Sequence, residues 1–317
     1  MDIRKIHTPV SLERCMELLA PAVSAPGAVL VDATLGLGGH AEAFLSTFDE
    51  LRLVGIDRDA QALDIARERL APFNARCALV HAVFDDLAEV LTSLNLSAVN
   101  GFLFDLGVSS MQLDRSDRGF AYAQDAPLDM RMDQSAGMTA ADVVATYDVD
   151  SLISIFRRYG DEKLAPRYAR AIVAAREIAP ISSSGQLVAI LQEATPAALM
   201  NAGHPAKRVF QALRVEVNEE LSVLHRAIPD ALELTAVGGR MVVMSYQSLE
   251  DRIVKAEFAA VTTDTTPVGM PVSLASSAPT FRLLTRGAEL ATDEEKERNP
   301  RATPVRIRAV ERVRAAA

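Results

Sequence analysis

The apolar run Ala28-Val29-Leu30-Val31 ends in Asp32 and passes at once into Ala33-Thr34-Leu35-Gly36-Leu37-Gly38-Gly39-His40. A short apolar run closed by glycines reads as a buried strand feeding a turn. Beyond the turn Ala41, Phe44, Leu45 and Phe48 recur at helical spacing. Strand, glycine turn and helix in that order let backbone approach a ligand closely and aim helix N–H groups at it. The unit then repeats. Leu51-Arg52-Leu53-Val54-Gly55-Ile56-Asp57 is a second strand ending in an acid, and Asp59 is placed to cap a helix carrying Leu63, Ala66 and Leu70. Ala78-Leu79-Val80 and residues 99–106 read as two more strands, with a helix through Leu87, Val90, Leu91 and Leu94 between them. Strands alternating with helices predict an α/β fold with a Rossmann-like parallel sheet covered on both faces.

After Leu106 that rhythm stops. Residues 107–135 are rich in Gly, Ser, Asp and Arg and read as a long functional loop. Residues 139–210 are helical in pattern, punctuated by Pro166, Pro180, Pro196 and Pro205. A single long helix over about 210–234, a turn at Gly238-Gly239 and a strand over 240–245 then restore the α/β pattern. The expected organisation is one α/β domain, 1–115 and 209–317, interrupted by a loop and all-helical insertion over 116–208. The Thr/Ser/Pro-rich stretch 262–280 reads as a loop.

Composition narrows the function classes. No apolar run approaches the roughly 20 residues of a membrane span, and no apolar segment follows Met1-Asp2-Ile3-Arg4-Lys5, so the expected compartment is the cytoplasm. Cys15 and Cys77 sit among apolar neighbours and read as reduced core residues, and the five histidines form no ligand pair, so no metal is expected. The net charge of −9 hides two basic segments. Residues 151–210 carry eight Lys and Arg against four acids, and the tail 301–317 carries five Arg against Glu311. From charge alone, solvated helix faces remain the simpler account.

Gly36-Leu37-Gly38-Gly39-His40-Ala41 fits G-x-G-x-x-A, and Asp57, 21 residues beyond Gly36, can accept hydrogen bonds from ribose hydroxyls. Two features favour S-adenosylmethionine over a dinucleotide. Asp32 can hold the amino-acid end of that cofactor, and no Lys or Arg between 32 and 51 offsets the acids that would repel a pyrophosphate.

Phe102-Leu103-Phe104-Asp105-Leu106-Gly107-Val108-Ser109-Ser110 closes the fourth strand, where ligands of doubly wound sheets bind. With it come His7-Thr8-Pro9-Val10, Gly55-Ile56-Asp57-Arg58-Asp59, Gln112-Leu113-Asp114, Arg118-Gly119-Phe120 and Pro127-Leu128-Asp129-Met130-Arg131-Met132-Asp133. Tyr159-Gly160-Asp161-Glu162, His204-Pro205-Ala206, Phe210-Gln211-Ala212-Leu213-Arg214, Val217-Asn218-x-Glu220-Leu221 and Ser248-Leu249-Glu250-Asp251-Arg252 follow. Over essentially its whole length the chain resembles the RsmH (MraW) family, bacterial methyltransferases acting on the exocyclic N4 of one cytidine in the decoding centre of 16S ribosomal RNA. The resemblance implies a class I S-adenosylmethionine methyltransferase sheet with an inserted helical domain. It implies cofactor contacts at Gly38, Gly39, His40, Asp57, Phe84, Asp105 and Gln112, with Phe84 against the adenine. The implied partner is 16S rRNA in the small ribosomal subunit. A homodimer is admissible, the sequence leaving the oligomeric state open.

Three positions depart from the pattern. Many members read Ser-Phe-His-Ser where this chain has Ser245-Tyr246-Gln247-Ser248, many carry a basic residue at Leu37, and Thr303-Pro304 replaces small polar residues. Methyl transfer to an amine is an in-line displacement, aided by an acceptor for the amine N–H. The candidates are Asp105 and Ser109, the latter within Val108-Ser109-Ser110. Neither cysteine stands where a C5-cytosine nucleophile would be needed. The remaining rivals are another amino-methyltransferase of RNA or DNA, an NAD-dependent oxidoreductase sharing the glycine pattern, and a non-catalytic factor that keeps the pocket.

Overall fold

The computed structural model describes residues 9–199, 203–266 and 277–315. His7 and Thr8, and most of the 262–280 stretch, lie outside the described residues. The chain forms two compact units, one of Met1–Gly107 with Leu221–Ala317, the other of Val108–Glu220. Sequence periodicity placed the insertion at 116–208.

The first unit is built on β1 (Val29–Asp32), β2 (Arg52–Asp57), β3 (Cys77–His81), β4 (Val99–Asp105), β5 (Thr235–Ser245), β6 (Phe281–Leu283) and β7 (Arg306–Arg312). Their order is β3-β2-β1-β4-β5-β7-β6, with β1 to β5 parallel and β7 antiparallel to both of its neighbours. Alternation along each strand sorts side chains to two faces. Leu30, Leu53, Leu103 and Val242 pack with α1 (Leu12–Val23), α2 (Gly39–Thr47) and α3 (Ala60–Leu70). Val29, Val31, Val54, Phe102 and Phe104 pack with α4 (Leu87–Ser93), and with residues of two later helices, α11 (Glu220–Glu233) and α12 (Ser248–Thr262). Burial on both faces is why the strands read as unbroken apolar runs rather than alternating ones. Asp59 caps α3 as its position predicts, accepting from the backbone N–H groups of Gln61 and Ala62.

The helices of the second unit are α5 (Ser110–Asp114), α6 (Ala140–Thr146), α7 (Val149–Gly160), α8 (Ala165–Arg176), α9 (Ser184–Ala194) and α10 (Ala206–Val217). Helices α6 to α10 share a core that includes Val143, Phe156, Tyr168, Ile172, Leu187, Val209 and Leu213. A short helix, α13 (Asp293–Arg298), completes the count for the described residues.

Three expectations need correction. The single helix over 210–234 is two, α10 and α11, separated at Asn218 and Glu219. Glu219 has φ 51°, and the Asn218 amide donates to the Arg214 carbonyl, so a side chain competes with the helical ladder there. The turn at Gly238-Gly239 is part of β5, which runs on to Thr235 across a register shift in its pairing with β4. The basic tail contains β7. Ile307, Ala309 and Val310 are buried, Arg308 grips Asp251 through two bonds of 2.7 and 3.1 Å, and Arg312 donates to the carbonyls of Glu233 and Thr235. Charge counting read this segment as a solvated helix face, where the structure has a strand with Arg308 and Arg312 paired.

Candidate functional site

The glycine loop leaves the end of β1 and is pinned by backbone bonds from Ala33 N–H to Leu103 and from Leu35 N–H to Ile56, both 2.9 Å. Gly38 caps α2 in the left-handed region at φ 74°. A Cβ at Gly39 would stand 2.6 Å from Pro9 Cγ, so only glycine admits this approach of the N-terminal segment. The same segment takes the ring of His40, whose Nε2 lies 3.0 Å from the Val10 carbonyl. A carbonyl only accepts, so Nε2 carries the proton and Nδ1 keeps its lone pair. Burial lowers the His40 pKa to about 4, which keeps the ring neutral near neutral pH.

Asp32, Asp57 and Asp105 stand at the carboxyl ends of the neighbouring strands β1, β2 and β4. Asp32 is 1% exposed, its Oδ1 accepts from Thr34 N–H at 3.3 Å, and its Oδ2 has no hydrogen-bond partner. Burial first, then the nearby charge of Asp105, pushes its carboxyl up to about 8. Asp57 accepts from the N–H groups of Gly36 and Asp59 at 2.7 and 2.8 Å. Burial pushes it up to about 6 against those bonds. One N–H on each oxygen leaves lone pairs for further donors. Asp105 Oδ1 accepts the Tyr246 hydroxyl at 2.7 Å, and its Oδ2 lies 3.9 Å from His40 Nδ1. Phe84 is half-buried and meets Phe104 edge-on at 5.8 Å between ring centres.

Gly38, Gly39, His40, Asp57, Phe84 and Asp105 are thus all carried by the first unit. Ser109 and Gln112 belong to the second, where they form a reciprocal cap on α5. The Ser109 hydroxyl accepts from Gln112 N–H at 3.3 Å, and the Gln112 carboxamide accepts from Ser109 N–H at 3.0 Å. Ser-x-x-Gln is itself a capping-box pattern, a signal open to sequence reading but not drawn from it. Two residues near the loop had no such signal. Arg69, on α3, sets Nη1 3.4 Å from the Leu37 carbonyl and bonds Glu42 through Nε at 2.7 Å. The absence of basic residues is therefore a property of the local sequence and not of the folded loop, although this guanidinium is paired. Tyr246 reaches Asp105 across 141 residues of sequence.

Both thiols are held protonated. Burial drives Cys15 well above its ordinary value and Cys77 up to about 11, and Cys15 donates to the Met244 sulfur at 3.5 Å. Among the described residues no cluster of three or more His, Cys, Asp or Glu could hold a metal ion. None of the described helices is long and apolar enough to cross a membrane.

In the second unit the run 127–133 folds inward. Leu128, Met130 and Met132 are buried, with Met130 at φ 62°. The Asn218 side chain accepts from Met132 N–H and donates to the Met130 carbonyl, both at 2.8 Å. Arg118 donates to the carbonyls of Arg131 and Met132, and Asp129 takes two bonds from Arg131 at 2.9 and 2.8 Å. Gly119 has φ 72°, and a Cβ there would stand 2.2 Å from the Pro127 carbonyl. Of the basic residues over 151–210, Arg157, Arg158, Lys163, Arg167, Arg170, Lys207 and Arg208 are exposed. Arg176 instead donates to the carbonyls of Val144 and Tyr147.

Comparison with known proteins gives the family. A family model described as the MraW methylase family matches residues 4–313. The chain is 63% identical over 314 residues to a "Ribosomal RNA small subunit methyltransferase H" of Clavibacter michiganensis, covering 99% of both chains. It is 61% identical to the protein of the same name from Leifsonia xyli, covering 98% of this chain and 95% of that one. A solved structure titled as an rRNA methylase from Streptococcus thermophilus aligns with 97% of this chain and 99% of its own, at 12% identity and a TM-score of 0.45.

Proposed function

Because the chain belongs to the MraW methylase family, we propose that it transfers a methyl group from S-adenosylmethionine to the exocyclic N4 of a cytidine in the decoding centre of 16S ribosomal RNA. The observation that carries this reading is the set of acids ending β1, β2 and β4 beside the glycine loop, with one buried Asp32 oxygen left without a partner. A buried carboxyl at about 8 beside a second at about 6 suits a ligand that brings a cation and ribose hydroxyls. It does not suit a pyrophosphate, because Arg69 is already paired with Glu42.

In this reading Gly38, Gly39, His40, Asp57, Phe84 and Asp105 hold the cofactor, whose sulfonium supplies an electrophilic methyl group. Asp57 accepts from the ribose, Asp32 supports the amino-acid end, and Phe84 offers a ring face to the adenine. Asp105 is the preferred acceptor for the cytosine N–H, since its carboxylate ends β4 and keeps Oδ2 beside the oxygen that Tyr246 engages. Accepting that bond raises electron density on the amine nitrogen as it attacks in line. The base must leave its stack, or lie unpaired, to present that amine. The seven exposed basic residues over 151–210 suit the RNA backbone.

Nucleoside mass spectrometry of 16S rRNA from a deletion strain tests the proposal. Loss of one N4-methylated cytidine, restored by the wild-type gene, is the expected result. Unchanged methylation contradicts it.

A further inference from the structure

We infer that Tyr246 is a positioning residue for this site, acting through Asp105; the inference rests on the proposed cofactor contact of Asp105. Tyr246 directly follows β5, the strand that pairs with β4 up to Asp105 and Met244. Its hydroxyl donates to Asp105 Oδ1 at 2.7 Å. Its own backbone is held in turn. The N–H groups of Tyr246 and Gln247 both donate to Oε2 of Glu250, at 2.8 and 3.0 Å, and Glu250 is 2% exposed. The phenol is therefore a fixed donor, presented from a braced strand end rather than from a free loop.

A half-buried carboxylate held on one oxygen has its torsion set, and the second oxygen is then aimed rather than averaged over rotamers. Here the second oxygen is the one nearest His40 Nδ1, at 3.9 Å. Burial and the adjacent Asp105 charge raise the phenol well above its ordinary value, so it stays a donor throughout the working pH range.

The test is calorimetric titration of S-adenosylhomocysteine into four full-length proteins: wild type, Tyr246→Phe, Asp105→Ala and the double variant. A hydrogen bond to a charged group corresponds to about a tenfold effect or more. Tyr246→Phe should therefore weaken binding about tenfold at unchanged stoichiometry and melting temperature. The double variant should bind no more weakly than Asp105→Ala. In methyl-transfer assays the KM for S-adenosylmethionine should rise while the KM for RNA stays within about twofold. A purely structural hydroxyl would lower stoichiometry or melting temperature and leave the dissociation constant alone, which overturns the inference. Wild-type affinity in Tyr246→Phe, or losses that add in full in the double variant, overturn it as well. Wild-type affinity in Asp105→Ala removes the underlying contact, and is distinguishable because it fails in the other single variant.

Discussion

The glycine loop of the first unit and the 127–133 loop of the second are equally rich in charged and special residues, yet they use them in opposite ways. In the second unit burial pushes the Asp129 carboxyl up, but the bonds and charge of Arg131 outweigh burial and hold it below the usual carboxylate range. Asn218 and Arg118 take up the surrounding backbone groups. Around the glycine loop the balance is reversed. Asp32 and Asp57 are raised to about 8 and about 6, and an oxygen of Asp32 is left without a partner. Density of unusual residues thus does not distinguish architecture from a binding site. The state of the carboxylates does.

The largest effect that would sharpen this contrast is expected at Asn218. Asn218→Ala leaves the Met130 carbonyl and Met132 N–H without their partner and should cost about 3 kcal/mol in denaturant unfolding. The folded fraction should bind S-adenosylhomocysteine normally; a selective loss of affinity would break the contrast. Next comes Asp57→Ala, expected to weaken that binding by about 2 kcal/mol, or roughly thirtyfold, in calorimetry. Wild-type affinity would take Asp57 out of the site.

Asp32 yields a pH-dependent effect. Its folded pKa of about 8 lies above the ordinary value of 3.8. Unfolding therefore releases its proton across the window between the two, and the stability it contributes is lost as pH rises through 8. Melting curves should show Asp32→Asn gaining on wild type from pH 5 to pH 8. A constant gap would show that Asp32 is not raised. Smallest of all is the change expected from Arg157→Ala or Arg158→Ala, exposed residues of the second unit. Each should reduce the salt dependence of RNA binding by about one phosphate contact while cofactor affinity stays the same. An unchanged salt slope would remove that residue from the RNA surface.

The sheet was legible because buried parallel strands announce themselves as apolar runs, and because each of the first two ends in an acid, Asp32 and Asp57, before a turn. The break between α10 and α11 was not. Apolar periodicity continues through it, and the bonds of Asn218 to Met130 and Met132, together with its local bond to the Arg214 carbonyl, show why the helix yields. The alternation Arg306-Ile307-Arg308-Ala309 is a half-buried strand signal that charge counting passed over, and the partners of Arg308 and Arg312 lie far away in sequence. Tyr246 and Arg69 reach the glycine-loop region from other elements, so no local pattern could place them there. Tertiary context decides such contacts, and pattern reading sees only what neighbours in sequence impose.

The central claim is tested most directly with purified protein, S-adenosylmethionine labelled in its methyl group, and small ribosomal subunits from a deletion strain. Digestion to nucleosides should place the label in N4-methylcytidine, at one site in 16S rRNA. Absence of transfer, or label recovered on another atom or base, would contradict the account.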